Sequence, residues 1–486
     1  MSHSPAPLSD ASSGRDLAAD LADFAARIDA ARLDPLVIDA VQANILDTLS
    51  CAVAGSTAPA IDVVHSLVKE WGGAPQADVW VHGGKVPAHH AAWLNSAMAH
   101  ARDYDDTHDA AILHAGVSCV PSAIAAGQLN PEATGADLVA AVAAGLETMS
   151  RLGTAIEVDI VASGFIYSAL LGYFGATAAA GRMLKLMPEQ MWDAFGIVFS
   201  SVAGNHQVSR DASLMKRMQP GLAAQAGVVA AQLAQRGIRG VRNVFDGADG
   251  FSRIYLQGRL DNDVARADLG ERFELLNLSY KPYPCCRDSH STIDAVLAVL
   301  ENTPRPASDI KSVRVGVTAP GYQMVCTPEA VRAAPQTIVE AQFSIPYAVA
   351  AAWIDGGVRL EHFTDDGVRR KDILELATKV TPFVDEDIDR DWRRFVTPAA
   401  VSVEFTDGQR AEARVDYAKG HPKNPMSTAE VTGKAENCAA LAAWPLTDGL
   451  PEQLLDTTGR LVELPDLAAL TSLLAPRPSS TKEVHA

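Results

Sequence analysis

Between Ala101 and Gly116 the chain reads ARDYDDTHDAAILHAG, which gathers Asp103, Asp105, Asp106, Thr107, His108, Asp109 and His114. An imidazole beside carboxylates can take up and return a proton near neutral pH. Ala-rich apolar runs flank the stretch, so two helices would hold it as a loop or helix end lining a cleft. The plainer alternative is an acidic, solvated helix cap.

Two further stretches carry cations. SRDASLMKRMQPG (209–221) puts Lys216 and Arg217 ahead of Pro220–Gly221. A helix is expected from Gly221, and its free N–H groups would favour an anion. On spacing alone an exposed basic loop is the favoured reading. SYKPYPCCRDSH (279–290) combines Lys281, Tyr283, Cys285, Cys286, Arg287 and His290. Pro282 and Pro284 stiffen it, and a rigidly held Lys, Arg and thiol suit an oxyanion or carboxylate. A packed interdomain linker would read the same way, and clefts often lie between domains. GxGxxG, P-loop, GxSxG and HExxH patterns are all missing, so no nucleotide or redox cofactor is expected. His89–His90 and His100 lack regular ligand spacing, so no metal is expected either.

Helices must position most of these residues. Asp34 and Pro35 open a helix whose stripe is Val37, Val41, Ile45 and Leu49, and Gly55 closes it. Helical patterns follow over 88–101, 117–127, 134–153, 168–186, 191–204 and 221–237. Their small residues imply helices buried nearly all round. After about residue 275 the texture changes. IKSVRVGVT (310–318) alternates as a strand, and two alternating runs flank Asp407–Gly408, a hairpin signal. Helical pieces lie at 289–301, 337–356 and 371–380, and the last sixty residues return to an Ala/Leu-rich helical pattern. A second, α+β domain is expected after the helical one.

The chain has 486 residues, 48% of them hydrophobic, enough for a large core or two. A net charge of −18 argues against nucleic acid. An anionic ligand would need cations gathered locally. Six cysteines without a CxxC framework suit a reducing compartment. The polar N-terminus lacks signal-peptide character and no uncharged run reaches membrane-spanning length, so a cytoplasmic location is expected.

Five pieces in order then carry a resemblance: DYDDTH (103–108), His114, Lys216 ahead of Pro220–Gly221, YKPYPCCRDSH (280–290) and GHPKNPMS (420–427). From about Asp16 to about Leu474 the chain resembles the MmgE/PrpD family, whose activities include 2-methylcitrate dehydration, cis-aconitate decarboxylation and iminodisuccinate epimerisation. The resemblance implies a mainly α fold, with a large helical domain and an inserted, smaller α+β lid. The parts would be an N-terminal disordered arm (1–15), the helical domain (16–275), the lid (276–425) and a C-terminal helical segment returning to the first domain (426–486). It also implies a homodimer, no cofactor and a small polycarboxylate substrate.

Carried over residue by residue, the resemblance puts Asp103, Thr107, His114, Lys216 and Lys281 in catalytic positions. Arg287, Tyr283, Cys286 and Tyr167 are expected to bind substrate, with Asp105, Asp106, His108 and Asp109 as scaffold. There are departures. Ile166 and Cys286 stand where relatives carry His, and Ala115 stands where a Pro follows the His. The expected reaction is lyase chemistry, first of all dehydration of a 2-methylcitrate-like hydroxy acid. Epimerisation and cis-aconitate-type decarboxylation are the alternatives, and a non-catalytic carboxylate-binding role is a third.

Overall fold

The computed structural model describes residues 15–159, 163–392 and 398–477. The arm expected over 1–15 lies outside these apart from Arg15. The protein is mainly α-helical, and its buried side chains form two large apolar cores.

The longer helices of the first core are α1 (Leu17–Arg27), α2 (Pro35–Gly55), α3 (Ile61–Trp71), α4 (Ala88–His100), α5 (Gly116–Gly127), α6 (Gly135–Thr154), α7 (Tyr167–Met183), α8 (Pro188–Phe199) and α9 (Met215–Gln235). Their ends follow local chemistry. Asp34 accepts the Leu36 N–H while Pro35 starts α2, and Thr134 and Asp137 form a reciprocal capping box on α6. Every residue of α5 is buried, as is every residue of α7 except Arg182. Helices this enclosed must approach closely. At the α2–α4 crossing a Cβ on Gly55 would lie 1.8 Å from the Met98 carbonyl oxygen. α2 is long and apolar enough to cross a membrane, yet it carries buried Gln42, Asn44 and Asp47 and packs inside the protein.

The second core contains α10 (His290–Asn302), α11 (Ile345–Asp355) and a four-stranded sheet. The strands β1 (Ile310–Val317), β2 (Val380–Val384), β3 (Ala399–Phe405) and β4 (Arg410–Val415) lie in the order β2-β1-β3-β4. β1 pairs with β2 in parallel and with β3 antiparallel. Val313 and Val315 point into the core while Arg314 between them points out, the alternation expected of a strand. Asp407–Gly408 makes the β3–β4 turn, with Gly408 at φ +86°.

The chain then returns to the first core. α12 (Thr428–Ala439) and α13 (Leu450–Gly459) pack on α2, and Leu450, Leu454, Leu461 and Leu470 are part of its apolar interior. The buried Lys434 of α12 donates to Asp47 at 2.5 Å and to the Tyr104 carbonyl at 2.7 Å.

Three expectations about elements need correction. The helix expected over 337–356 is two, Ile338–Gln342 and α11, because Ser344 caps the second by accepting the Tyr347 N–H. DVWVHG (78–83), which reads as strand-like in sequence, is mostly turn, with pairing confined to Ala77–Asp78 and Lys85–Val86. The helix expected from Gly221 begins at Met215, so Lys216 lies in its first turn rather than in a loop before it.

Candidate active site

Three elements deliver the stretch 101–116 to the interior. α4 ends at His100, α5 begins at Gly116, and Thr107–His108 pairs antiparallel with Leu278–Ser279. That two-residue ladder places Lys281 beside Asp103. The acidic residues are not a solvated cap, since Asp103, Asp105, Asp106 and Asp109 are all buried. Asp103 also sits at φ +53°, a left-handed conformation that a non-glycine residue adopts only where its surroundings compel it.

Asp103 is held from two sides. Lys281 Nζ donates to its Oδ1 at 2.8 Å and to its carbonyl at 3.1 Å, and Lys216 Nζ lies 3.4 Å from its Oδ2. Burial opposes ionisation of Asp103, but the Lys216 and Lys281 charges outweigh it and hold the carboxyl far below its usual range. Burial likewise opposes the Lys281 charge, and Asp103 and Asp105 raise its pKa in spite of it.

Asp105 organises the imidazoles. Its Oδ2 lies 2.9 Å from Nδ1 of His100 and 3.0 Å from Nδ1 of His114. Burial works against the Asp105 charge, yet the two imidazoles hold its carboxyl well below the usual range, so it is an acceptor. The His114 Nδ1 also meets the Asp106 carbonyl at 2.7 Å. Acceptors on the Nδ1 side fix the proton there and leave Nε2 as the working nitrogen. In His100 that nitrogen is occupied, because Lys216 Nζ lies 3.4 Å from it. Burial keeps His100 neutral, its pKa pushed down to about 4. His114 is the less enclosed ring, and its Nε2 is left for a ligand.

His100, Asp105 and His114 offer atoms with metal-ligand spacing, all within 4.8 Å of one another. The Asp105 oxygen itself occupies the place between the rings, at hydrogen-bond distance from each. A zinc ion would need contacts of about 2.0–2.2 Å to all three. Hydrogen bonding accounts for the cluster.

Asp103, Thr107, His114, Lys216, Lys281, Cys286 and Arg287 line one small cleft of about 80 Å³. Thr107 Oγ1 is buried there without a hydrogen-bond partner. Arg287 reaches the cleft with its guanidinium already engaged, by Asp109 at 3.0 and 3.1 Å and by the Lys419 carbonyl at 2.9 Å. Two expected substrate contacts are corrected. The Tyr283 hydroxyl donates to Asp294 at 2.7 Å, the Tyr167 hydroxyl donates to the Val158 carbonyl at 3.1 Å, and neither residue lines the cleft.

Sequence reasoning missed several lining residues: His100, Ile112, Phe165, His206, Asp288, Met324 and Phe343. His100 ends a helix three residues before Asp103, a signal that was readable. Phe343 sits at the unforeseen helix break, where its ring lies 5.2 Å from Lys216 Nζ. The others come from loops and helix ends that no local pattern connects. Asp106 and Asp109 are supports, Asp106 by accepting the Ala115 and Gly116 N–H groups that open α5, both at 3.0 Å.

A mainly helical protein with two cores and a buried cluster of lysine, carboxylate and imidazole groups defines a narrow class. The chain belongs to the MmgE/PrpD family: the model of its N-terminal domain matches residues 19–262 and that of its C-terminal domain residues 283–443. It is 27% identical over 457 residues to a cis-aconitate decarboxylase of Aspergillus terreus, covering 90% of this chain and 91% of that protein. It is 27% identical over 448 residues to the human cis-aconitate decarboxylase, covering 90% of each chain. A cis-aconitate decarboxylase-like protein of Aspergillus oryzae is 25% identical over 443 residues, covering 87% of this chain and 91% of that one.

Proposed function

We propose that the protein is a cofactor-independent carboxy-lyase that releases carbon dioxide from a small, unsaturated polycarboxylate. The observation that carries this reading is His114, with its Nδ1 held by Asp105, in one cleft with Lys216 and Lys281. Relatives named for cis-aconitate decarboxylation support that reaction over the 2-methylcitrate-type dehydration that the sequence put first. The second core, as an inserted α+β lid, closes over the cleft, and the working unit is a homodimer.

The chemistry needs a carboxylate on a carbon next to a C=C bond that is conjugated with a second carboxylate. Lys216 and the unpartnered Thr107 hydroxyl hold the second carboxylate. The bond to the departing carboxylate breaks and carbon dioxide leaves. That electron pair forms a new C=C bond, and the old π pair moves to the carbon next to the retained carboxylate. Lysine contacts stabilise the charge as it develops. His114, as an imidazolium paired with Asp105, delivers the Nε2 proton to that carbon.

The test is NMR of cis-aconitate with the enzyme in deuterated water. Carbon dioxide should appear with a product carrying one deuterium beside the retained carboxylate. Exchange without carbon dioxide, or release or addition of water, would overturn the reading. His114→Gln should lower turnover by about 10²–10⁴-fold.

A further inference from the structure

The cleft has little spare positive charge. Lys281 is buried and committed to Asp103, and Arg287 is committed to Asp109. Lys216 keeps partial exposure and its longer contacts, both at 3.4 Å. These three cations are balanced by Asp103, Asp105 and Asp109, and Asp288 adds a further acid to the lining. His100 is neutral and engaged. Among the described residues, three substrate carboxylates would therefore meet one available ammonium group besides the His114 imidazolium that serves as the acid. An uncompensated charge taken out of water is strongly disfavoured.

Beside Thr107, His114, Ser168, His206, Ser209 and Cys286, the rest of the lining is apolar. Ile112, Phe165–Ile166, Met324 and Phe343 come from four separate segments and meet on one cleft. Phe165 is braced by Tyr255, their rings 5.4 Å apart, so this wall is packed in place. Asp288 lies where Cys286 Sγ reaches its Oδ2 at 3.5 Å. Burial pushes its carboxyl up to about 7, so at neutral pH much of it is protonated and can donate a hydrogen bond to a substrate oxygen.

We infer that the substrate of this cleft is a dicarboxylate carrying an alkyl substituent where cis-aconitate carries its third carboxylate, with Ile166 and the apolar residues beside it setting that preference. This rests on the carboxy-lyase reading for its chemistry. A 3-alkylglutaconate has the required arrangement, a CH2–carboxylate on a C=C bond conjugated with the second carboxylate. Loss of carbon dioxide from the CH2 carbon and protonation beside the other carboxylate give a 3-alkylbut-3-enoate, with all atoms and electrons accounted for. The alkyl group fills the apolar wall, Lys216 takes the retained carboxylate, and protonated Asp288 meets the departing one before it leaves.

Calorimetric titration with two unreactive saturated analogues tests the preference without requiring turnover. 3-Methylglutarate should bind the full chain about tenfold or more tighter than tricarballylate. Ile166→His should narrow that ratio by offering a cation, whereas Asp288→Asn, which keeps a neutral donor, should leave it unchanged. Tricarballylate binding as tightly as 3-methylglutarate, or no binding of either, overturns the inference in the wild-type protein, whatever the variants do. Turnover is read separately, as carbon dioxide from 3-methylglutaconate and from cis-aconitate in deuterated water. Selective binding of 3-methylglutarate with no carbon dioxide from either acid defeats the carboxy-lyase reading and leaves the ligand preference standing. Faster release from cis-aconitate than from 3-methylglutaconate defeats the preference and leaves the carboxy-lyase reading standing.

Discussion

Lys216 and Lys281 flank one carboxylate and should respond differently to mutation. Lys281 is wholly buried, and Lys281→Met leaves Asp103 with a single, longer contact. Breaking a buried pair this way costs about 3–5 kcal/mol. Lys216→Met should cost only about 1–2 kcal/mol, because Asp103 keeps its closer partner. Both should lower turnover of a carboxylate substrate by at least about 100-fold. Urea unfolding alongside kinetics separates the two effects. Asp288 gives a pH prediction. Its folded pKa, about 7, is above the unfolded value, so its contribution to stability is full below about pH 4. That contribution is lost as the pH rises through 7, where the buried carboxyl must ionise. Asp288→Asn should therefore melt higher than wild type at pH 8, with the difference shrinking towards pH 4, as read by calorimetry. Residues in motifs, such as Asp103 and His114, were legible in the sequence. Asp105 was legible only as an acid, since what singles it out is one oxygen shared by two rings.

Helix ends were the most readable elements, because their signals are local. Asp34–Pro35 and Thr134–Asp137 mark starts that the structure keeps, and Asp407–Gly408 marks its hairpin. The start of α9 was misread because Pro220 suggests a boundary, whereas it lies inside the helix and omits only the N–H that would reach the Lys216 carbonyl. The Phe343–Ser344 break was missed because Ile345–Trp353 is apolar enough to continue either way. Close crossings are also local in origin and long-range in effect. Gly55→Ala should force α2 from α4 and cost at least about 1–3 kcal/mol in denaturant unfolding. The same change at Gly433, which faces open space, should not.

Over the whole molecule, the C-terminal segment returns to the first core by packing on α2 and α6, with the Lys434–Asp47 pair buried at the α2 contact. Lys434→Met should strand the buried Asp47 and destabilise the protein by about 3–5 kcal/mol, measured by thermal and urea unfolding. If the homodimer proposed above is the working unit, light scattering should return twice the chain mass. The change of texture near residue 275 made two units legible, and the resemblance rather than periodicity joined Lys281 of the second to Asp103 and His114 of the first, since periodicity records which face of an element is buried and not what it is buried against. The Lys281–Asp103 contact spans 178 residues of sequence. Contacts between such distant segments close late, after the cost of ordering the intervening chain has been met. The cleft thus works as a clock on assembly. Helices of the first core can form while the site is still silent, and recovery of ligand binding during refolding should lag behind recovery of helical signal.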